Sequence, residues 1–306
     1  MNFFQCSRQI SFLILIGALL SSLSTRGQAA EQSSESSQAQ SSITPDLWRD
    51  LGVSASLLGG GRGHVSDASA ADRNPAGLAL QKTYTVSGDL GWIGQKARLA
   101  EASACDSSTS DLAACFKFRQ TQKITGARDR RFSLAIAEAL GNGLIVGLAG
   151  DYVQFAEERV SPATPVSYKT GQRLRLGAIY PLADGLFAGL TGDGLYDSTG
   201  TDKSFGVGLS AQLGPYFLMS GDLRFNEDTL KEMVGGVSVF PRNFLDFAVS
   251  YGYDPKASQH RIGAGVVVKS QQARLIYSMV RSSEQPAQIF QTFGIGLYMA
   301  GDASQR

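Results

Sequence analysis

From Lys82 onward, acids and arginines recur on one face of an every-second-residue pattern. Asp89, Asp151, Asp193, Asp222, Glu232 and Asp246 share that face with Arg131, Arg173, Arg175, Arg224, Arg261 and Arg274. Glycines and serines sit between them. Charges placed this way either pair across neighbouring strands or coat a water-filled path, because an unpaired charge away from water is expensive. The mixed signs give no basis for preferring anions or cations.

Other chemistry is thinly represented. Ser258 and His260 lie two residues apart, as a nucleophile and its base would have to lie close in space. No third residue orients the pair, so a loop histidine beside a turn serine is the simpler reading, and no enzyme is expected. The run Gly59-Gly60-Gly61-Arg62-Gly63 lacks the Lys-Ser/Thr ending of a phosphate loop and its strand–loop–helix setting. His64 and His260 are the two histidines, far apart and without clustered cysteines. No metal or cofactor is expected.

The elements that would position these residues begin with an export signal. Arg8 precedes an apolar run from Ile10 to Leu23, and Gly27-Gln28-Ala29 supplies small residues for cleavage. The run is short for a membrane-spanning helix, and no stop-transfer charges follow it. Cleavage after Ala29 removes Arg8 and Arg26 but no acid, so the formal charge falls from +1 to −1. A near-neutral chain lacks the basic excess of a nucleic-acid binder. Cys105 and Cys115, ten positions apart in an oxidising compartment, are expected to form a disulfide, with two free thiols as the alternative.

Residues 30–56 form a leader. Its first part is almost wholly Glu, Gln, Ser and Ala, too poor in apolar area to order itself. Trp48 and the leucines that follow are expected to dock at a wall or mouth. Residues 57–80 then read as a compact insert: Asp67 and Ser69 can cap a short helical turn, Asp72 follows, and Asn74-Pro75 stops it.

Beyond it the pattern is all-β. Phe132, Leu134 and Ile136 alternate with Ser133 and Ala135, Leu174 and Leu176 with Arg173 and Arg175, and Phe205, Val207 and Leu209 with Gly206, Gly208 and Ser210. About twelve such segments span 81–300, mostly as long as a tilted membrane-crossing strand requires, with fourteen as the larger count. Tight turns such as Gly141-Asn142-Gly143 and Ala183-Asp184-Gly185 alternate with longer polar connections, among them 93–128 and 156–168. Short turns on one side and longer loops on the other predict a closed antiparallel transmembrane β-barrel with both termini periplasmic, in the outer membrane of a Gram-negative-type bacterium. Residues 301–306 form a tail. Inward glycines leave room against the wall for an inserted segment.

The segment Leu58-Gly59-Gly60-Gly61-Arg62-Gly63, Asp67-Ala68-Ser69-Ala70 and Asn74-Pro75-Ala76-Gly77-Leu78-Ala79 resembles the N-terminal signature of the long-chain fatty-acid transporter-like outer-membrane barrels, a clan that includes the barrel subunit assisting type IX secretion. The resemblance implies a short plug or hatch lodged in the barrel, with Gly61, Asp67, Asp72, Asn74, Pro75 and Gly77 as its candidate residues. Those proteins are usually longer, with fourteen strands and larger capture loops.

Passive uptake of small molecules, hydrophobic ones included, is the leading expectation. The alternative is a non-transporting barrel that acts as an interaction or secretion-accessory protein. Expected partners are membrane lipids and lipopolysaccharide, a small hydrophobic ligand, and a protein at the extracellular loops.

Overall fold

The structure is a computed structural model and describes residues 61–63, 65, 67–93, 97–122, 127–156, 167–198, 203–226, 229–283 and 289–299. The expected signal, the leader with Trp48, the first residues of the insert, His64 and the tail lie outside the described residues.

Fourteen antiparallel strands close into one barrel: β1 Tyr84–Ile93, β2 Ala97–Asp106, β3 Ala113–Gln122, β4 Arg128–Ala139, β5 Ile145–Ala156, β6 Tyr168–Ala183, β7 Leu186–Asp197, β8 Ser204–Leu213, β9 Phe217–Asn226, β10 Thr229–Arg242, β11 Leu245–Asp254, β12 Gln259–Lys269, β13 Ala273–Ser282 and β14 Ile289–Met299. Each strand pairs with its neighbours in sequence, and β1 closes on β14 with Tyr84 opposite Met299. Closure leaves no strand edge with unpaired backbone groups.

Alternation fixes which residues point where. On β4, Leu134 is 59% exposed while its neighbour Ala135 is fully buried. Outward positions carry Phe, Leu, Tyr, Val and Ile around most of the wall, and inward positions carry Gly, Ser and the charges.

The pattern of large outward apolar residues had given twelve strands. The two further strands are β2 and β3, which occupy the span expected to be one long loop. β2 escapes the pattern because Ala100, Ala102 and Ala104 hold its outward positions while Leu99 is buried inside.

The connections 140–144, 184–185, 214–216, 243–244 and 270–272 gather at the end where β1 starts and β14 finishes, called here the near end. Gly143, Gly185 and Gly214 take positive φ in three of these turns, a conformation that costs other residues strain. The connection 107–112 lies at this end too. The Cys105–Cys115 disulfide therefore belongs to the near end, not to a loop at the opposite, far end. Both cysteines face inward and are buried.

That bond joins residues already opposite each other in the β2–β3 ladder. Replacing both cysteines by alanine is expected to lower resistance to denaturant by about 2–3 kcal/mol, the scale for closing a short loop. The shift of the urea midpoint at which the barrel loses its compact gel mobility checks this.

Candidate functional site

The insert folds as a 3-10 turn at Asp67–Ser69, one α-helical turn at Ala70–Arg73 (α1) and a second 3-10 turn at Pro75–Ala79. Ser69 occupies the N-cap of α1 but makes no side-chain capping bond, contrary to the sequence expectation. The capping work falls to Asn74, which follows α1 and precedes Pro75. Its Oδ1 accepts from the Ala76 N–H at 3.2 Å, while its Nδ2 donates to the Arg62 carbonyl at 2.7 Å and the Ala178 carbonyl at 3.1 Å. One buried amide thus joins the start of the insert, its last turn and β6. Pro75 suits the first position of the turn it begins, where an N–H would have no partner.

The insert sits against the inner wall. Val65, Ala68, Ala70, Ala71 and Leu78 pack on Cys105, Ala113, Cys115, Ala135, Ala137 and Ala149. The second 3-10 turn lies on β4, β5 and β6. Inward glycines make room for it: a Cβ on Gly147 would lie 2.3 Å from the Ala76 nitrogen, and one on Gly189 2.0 Å from the Arg62 oxygen. Gly77 approaches Val65 as closely, with 1.9 Å from its added Cβ to the Val65 oxygen. Gly61, at φ 103°, holds a conformation that favours glycine.

Asp72 is the electrostatic centre. Its carboxylate meets Lys117, the Arg119 guanidinium at 2.8 Å and Arg131 at 3.3 Å. The pairing continues around the wall. Glu101 on β2 binds Lys117 at 2.6 Å and Arg119 at 2.7 Å. Asp151 on β5 binds Arg131 at 2.7 Å and Arg175 at 3.1 Å, and Arg175 also reaches Asp193 on β7 at 2.5 Å. Arg175 further donates to the Ala71 carbonyl of α1. On β9, Asp222 accepts from the Arg62 backbone and side chain at 3.2 Å, while Arg224 donates to Ser204 at 2.9 Å. Arg173 pairs with Asp197 at 2.9 Å. A continuous ionic girdle therefore lines β2 to β9, with the insert built into it. Taking these charges out of water is tolerable only because each has opposite charge in reach.

Burial opposes ionisation of Asp72, but Arg119, Lys117, Arg131 and Arg175 outweigh it and hold the carboxyl well below its usual value of 3.8. A carboxylate with a lowered folded value stabilises docking above its unfolded value and loses that contribution as pH falls through the lowered one. The insert should resist protease at neutral pH and at pH 5, and become cleavable progressively below about pH 4. Mass mapping of cuts within 61–80 reads this out.

The opposite wall has a different character. Inward positions of β10 to β13 include Gly236, Ala248, Ser250, Gly263, Gly265 and Val267. Its charges form local pairs: Asp246 with Lys269 at 2.7 Å, and Arg261 with Glu232. Arg274 crosses the inner face of Gly296 and stacks over Tyr298 at 5.4 Å, while Asp89 lies against Gly294. Among the described residues, the insert's contacts run to β1–β6, with Arg62 and Gly63 extending to β7, β8 and β9.

Every lumenal candidate named from the sequence points inward, but those residues do not form one cluster. Asp151, Arg175 and Asp193 join Asp72, Arg224 and Asp222 stand nearby, Asp89 is opposite Glu101 in the β1–β2 ladder, and Asp246, Arg261 and Arg274 lie across the barrel. Glu101, Lys117 and Arg119, which hold the centre of the network, were missed along with their strands. Arg62 was missed as well, although a lone arginine between two glycines was a signal. For Asp67 the structure defines the backbone turn. His260 is on the outer surface, stacked on Tyr253 at 4.8 Å with Nδ1 2.6 Å from the Tyr251 hydroxyl. That is a surface aromatic cluster.

No family model matches the sequence, and no curated protein matches it. Solved structures do. The deltaS2 mutant of the TodX monoaromatic hydrocarbon channel is similar at TM-score 0.61 and 13% identity, over 82% of this chain and 98% of that one. The Ralstonia pickettii toluene transporter TbuX gives 0.57 and 12%, over 80% and 96%. The P. putida toluene transporter TodX gives 0.55 and 11%, over 80% and 96%. At these identities the likeness establishes the fold alone, a closed antiparallel β-barrel.

Proposed function

We propose that the chain is an outer-membrane barrel of the fatty-acid transporter-like clan that takes up small molecules passively, hydrophobic ones among them. Its termini face the periplasm, and residues 57–80 act as a hatch. The observation that carries this reading is the division of the inner wall. The ionic girdle and hatch occupy β2 to β9, whereas on β10 to β13 small residues stand between locally paired and less deeply buried charges, Glu232 with Arg261 and Asp246 with Lys269, on the side left for a solute to pass. The structural neighbours include a monoaromatic hydrocarbon channel and toluene transporters, which makes monoaromatic hydrocarbons the first substrate class to try. Nothing in the sequence supplies energy coupling, so movement down a gradient is the default.

The test measures entry of radiolabelled toluene into Gram-negative cells, whose lipopolysaccharide leaflet slows unaided entry, against cells without the protein. It also measures entry of a small sugar into proteoliposomes, each system holding the wild-type chain or a chain lacking 57–80. Entry through the wild-type barrel that rises on hatch removal supports uptake. No entry of either solute through either chain sinks it and puts the interaction or secretion-accessory role first.

A further inference from the structure

The outer surface of β2–β5 carries a polar patch at the far end that neither the lumen nor the hatch uses. Arg98 on β2, Gln122 on β3 and Arg128 on β4 stand opposite one another in a single cross-strand row. The next row down brings together Gln120, Arg130 and Gln154, with Arg130 Nε donating to Gln120 at 3.3 Å. The alternation of β2 to β5 directs all six outward, because Leu99, Arg119, Arg131 and Val153 beside them are buried inside.

Directly toward the barrel waist lies an aromatic band. Phe118 and Phe132 are 4.9 Å apart between centroids, and Tyr152 follows at 6.4 Å. Aromatic side chains of this kind mark the depth where lipid acyl chains give way to head groups. The arginines and amides therefore stand at head-group height.

The near end of the same strands is opposite in charge. Asp106 ends β2, Asp111 is fully exposed in the connection after it with Lys82 3.7 Å away, and Glu138 is exposed near the end of β4, so acids outnumber the one lysine. In the sequence, the far-end connections 94–96 and 123–126, which flank the arginine row, add Lys96 and Lys123, whereas 157–166 after β5 adds Glu157, Glu158 and Arg159. A guanidinium fork matches phosphate oxygens in pairs, and side-chain amides suit sugar hydroxyls. Three arginines interleaved with three glutamines over an aromatic band therefore match a phosphorylated glycolipid better than a simple phospholipid.

We propose that Arg98, Arg128 and Arg130, with Gln120, Gln122 and Gln154, bind the phosphorylated glucosamine head group of lipopolysaccharide. The site also sets the orientation, with the far end in the outer leaflet. It rests on the outer-membrane location proposed above, and not on transport.

The experiment titrates the full-length purified protein in detergent with diphosphoryl lipid A, the same lipid dephosphorylated, and phosphatidylglycerol, counting adducts by native mass spectrometry. The wild type should take up diphosphoryl lipid A in preference to both others. The variant Arg98→Gln/Arg128→Gln/Arg130→Gln should bind it roughly tenfold more weakly, the sum of three exposed charge contacts, while Glu138→Gln at the near end should not change it. Compact gel mobility before heating confirms that each variant is folded. Equal binding by the triple variant, or equal uptake of phosphatidylglycerol, overturns the proposal. A peptide tag inserted after Ile124 should be reached by antibody on intact cells, and a tag reached only after the outer membrane is opened also overturns it. Solute entry through the triple variant stays at the wild-type level, so failure of the lipid site and failure of uptake are read separately.

Discussion

Asp72→Ala should free the lumenal insert while leaving the barrel closed. The substitution leaves Lys117, Arg119 and Arg131 sharing Glu101 and Asp151, with the third carboxylate gone from their midst. Removing one member of a buried ionic cluster costs about 3–5 kcal/mol, mostly because the partners keep their charge without compensation. Docking of the insert should weaken by about two to four orders of magnitude. None of the strand pairings involves Asp72, so the folded gel mobility persists. Hydrogen exchange within 67–80 should rise steeply, and single-channel conductance should increase. Asp72→Asn keeps the shape and loses the charge, and should behave nearly as alanine does. Unchanged protection of 67–80 in both variants would mean that packing, not charge, retains the hatch.

Gly147→Val attacks the same docking by a different route. An added Cβ at Gly147 falls 2.4 Å from the Pro75 carbonyl carbon as well as against Ala76. Both contacts are with backbone in a turn whose entry proline fixes, so no flexible side chain can swing aside. Displacement of the turn should cost about 1–3 kcal/mol or more, the scale for forcing atoms into filled space. Gly150→Val is the matched control, since nothing lies within 4 Å of its added Cβ. The two routes separate by pH. The Gly147→Val insert should be cleavable at neutral pH with its ionic girdle intact, whereas the wild-type insert should become so only in acid. Equal protease resistance of the Gly147 and Gly150 variants would refute the close approach.

The barrel was legible because lipid demands it. A wall strand must put large apolar groups outward at every second residue, and β4, β6, β8 and β13 do so openly. β2 satisfies the same demand with alanines, which give little contrast in hydropathy, and so its pairing with β3 stayed hidden. The consequence reached the candidate site, since Glu101, Lys117 and Arg119 lie on those two strands. Individual charges could be placed on the inner face from period alone. Their pairing order could not, because strand register decides whether Arg175 meets Asp151 or Asp193, and here it meets both. The Asn74-Pro75 turn was visible as a stop. Its bond to the Ala178 carbonyl was not, since that depends on where the turn lands on β6.

The seam between β1 and β14 carries a consequence for biogenesis. The first strand to leave the ribosome waits for the last one made, so the cylinder cannot shut before Ile289–Met299 arrives. The insert precedes β1 in the chain and must already lie between the curling sheet's two edges when they meet, because afterwards it would have to be threaded in from a mouth. A chain cut short before Ile289 keeps β1 and β13 as bare edges, with a ladder of amide groups that hydrocarbon cannot solvate. Such a product has no tolerable half-inserted state. Quality control in the envelope can therefore recognise it by exposed strand edges alone, whatever remains of the pore.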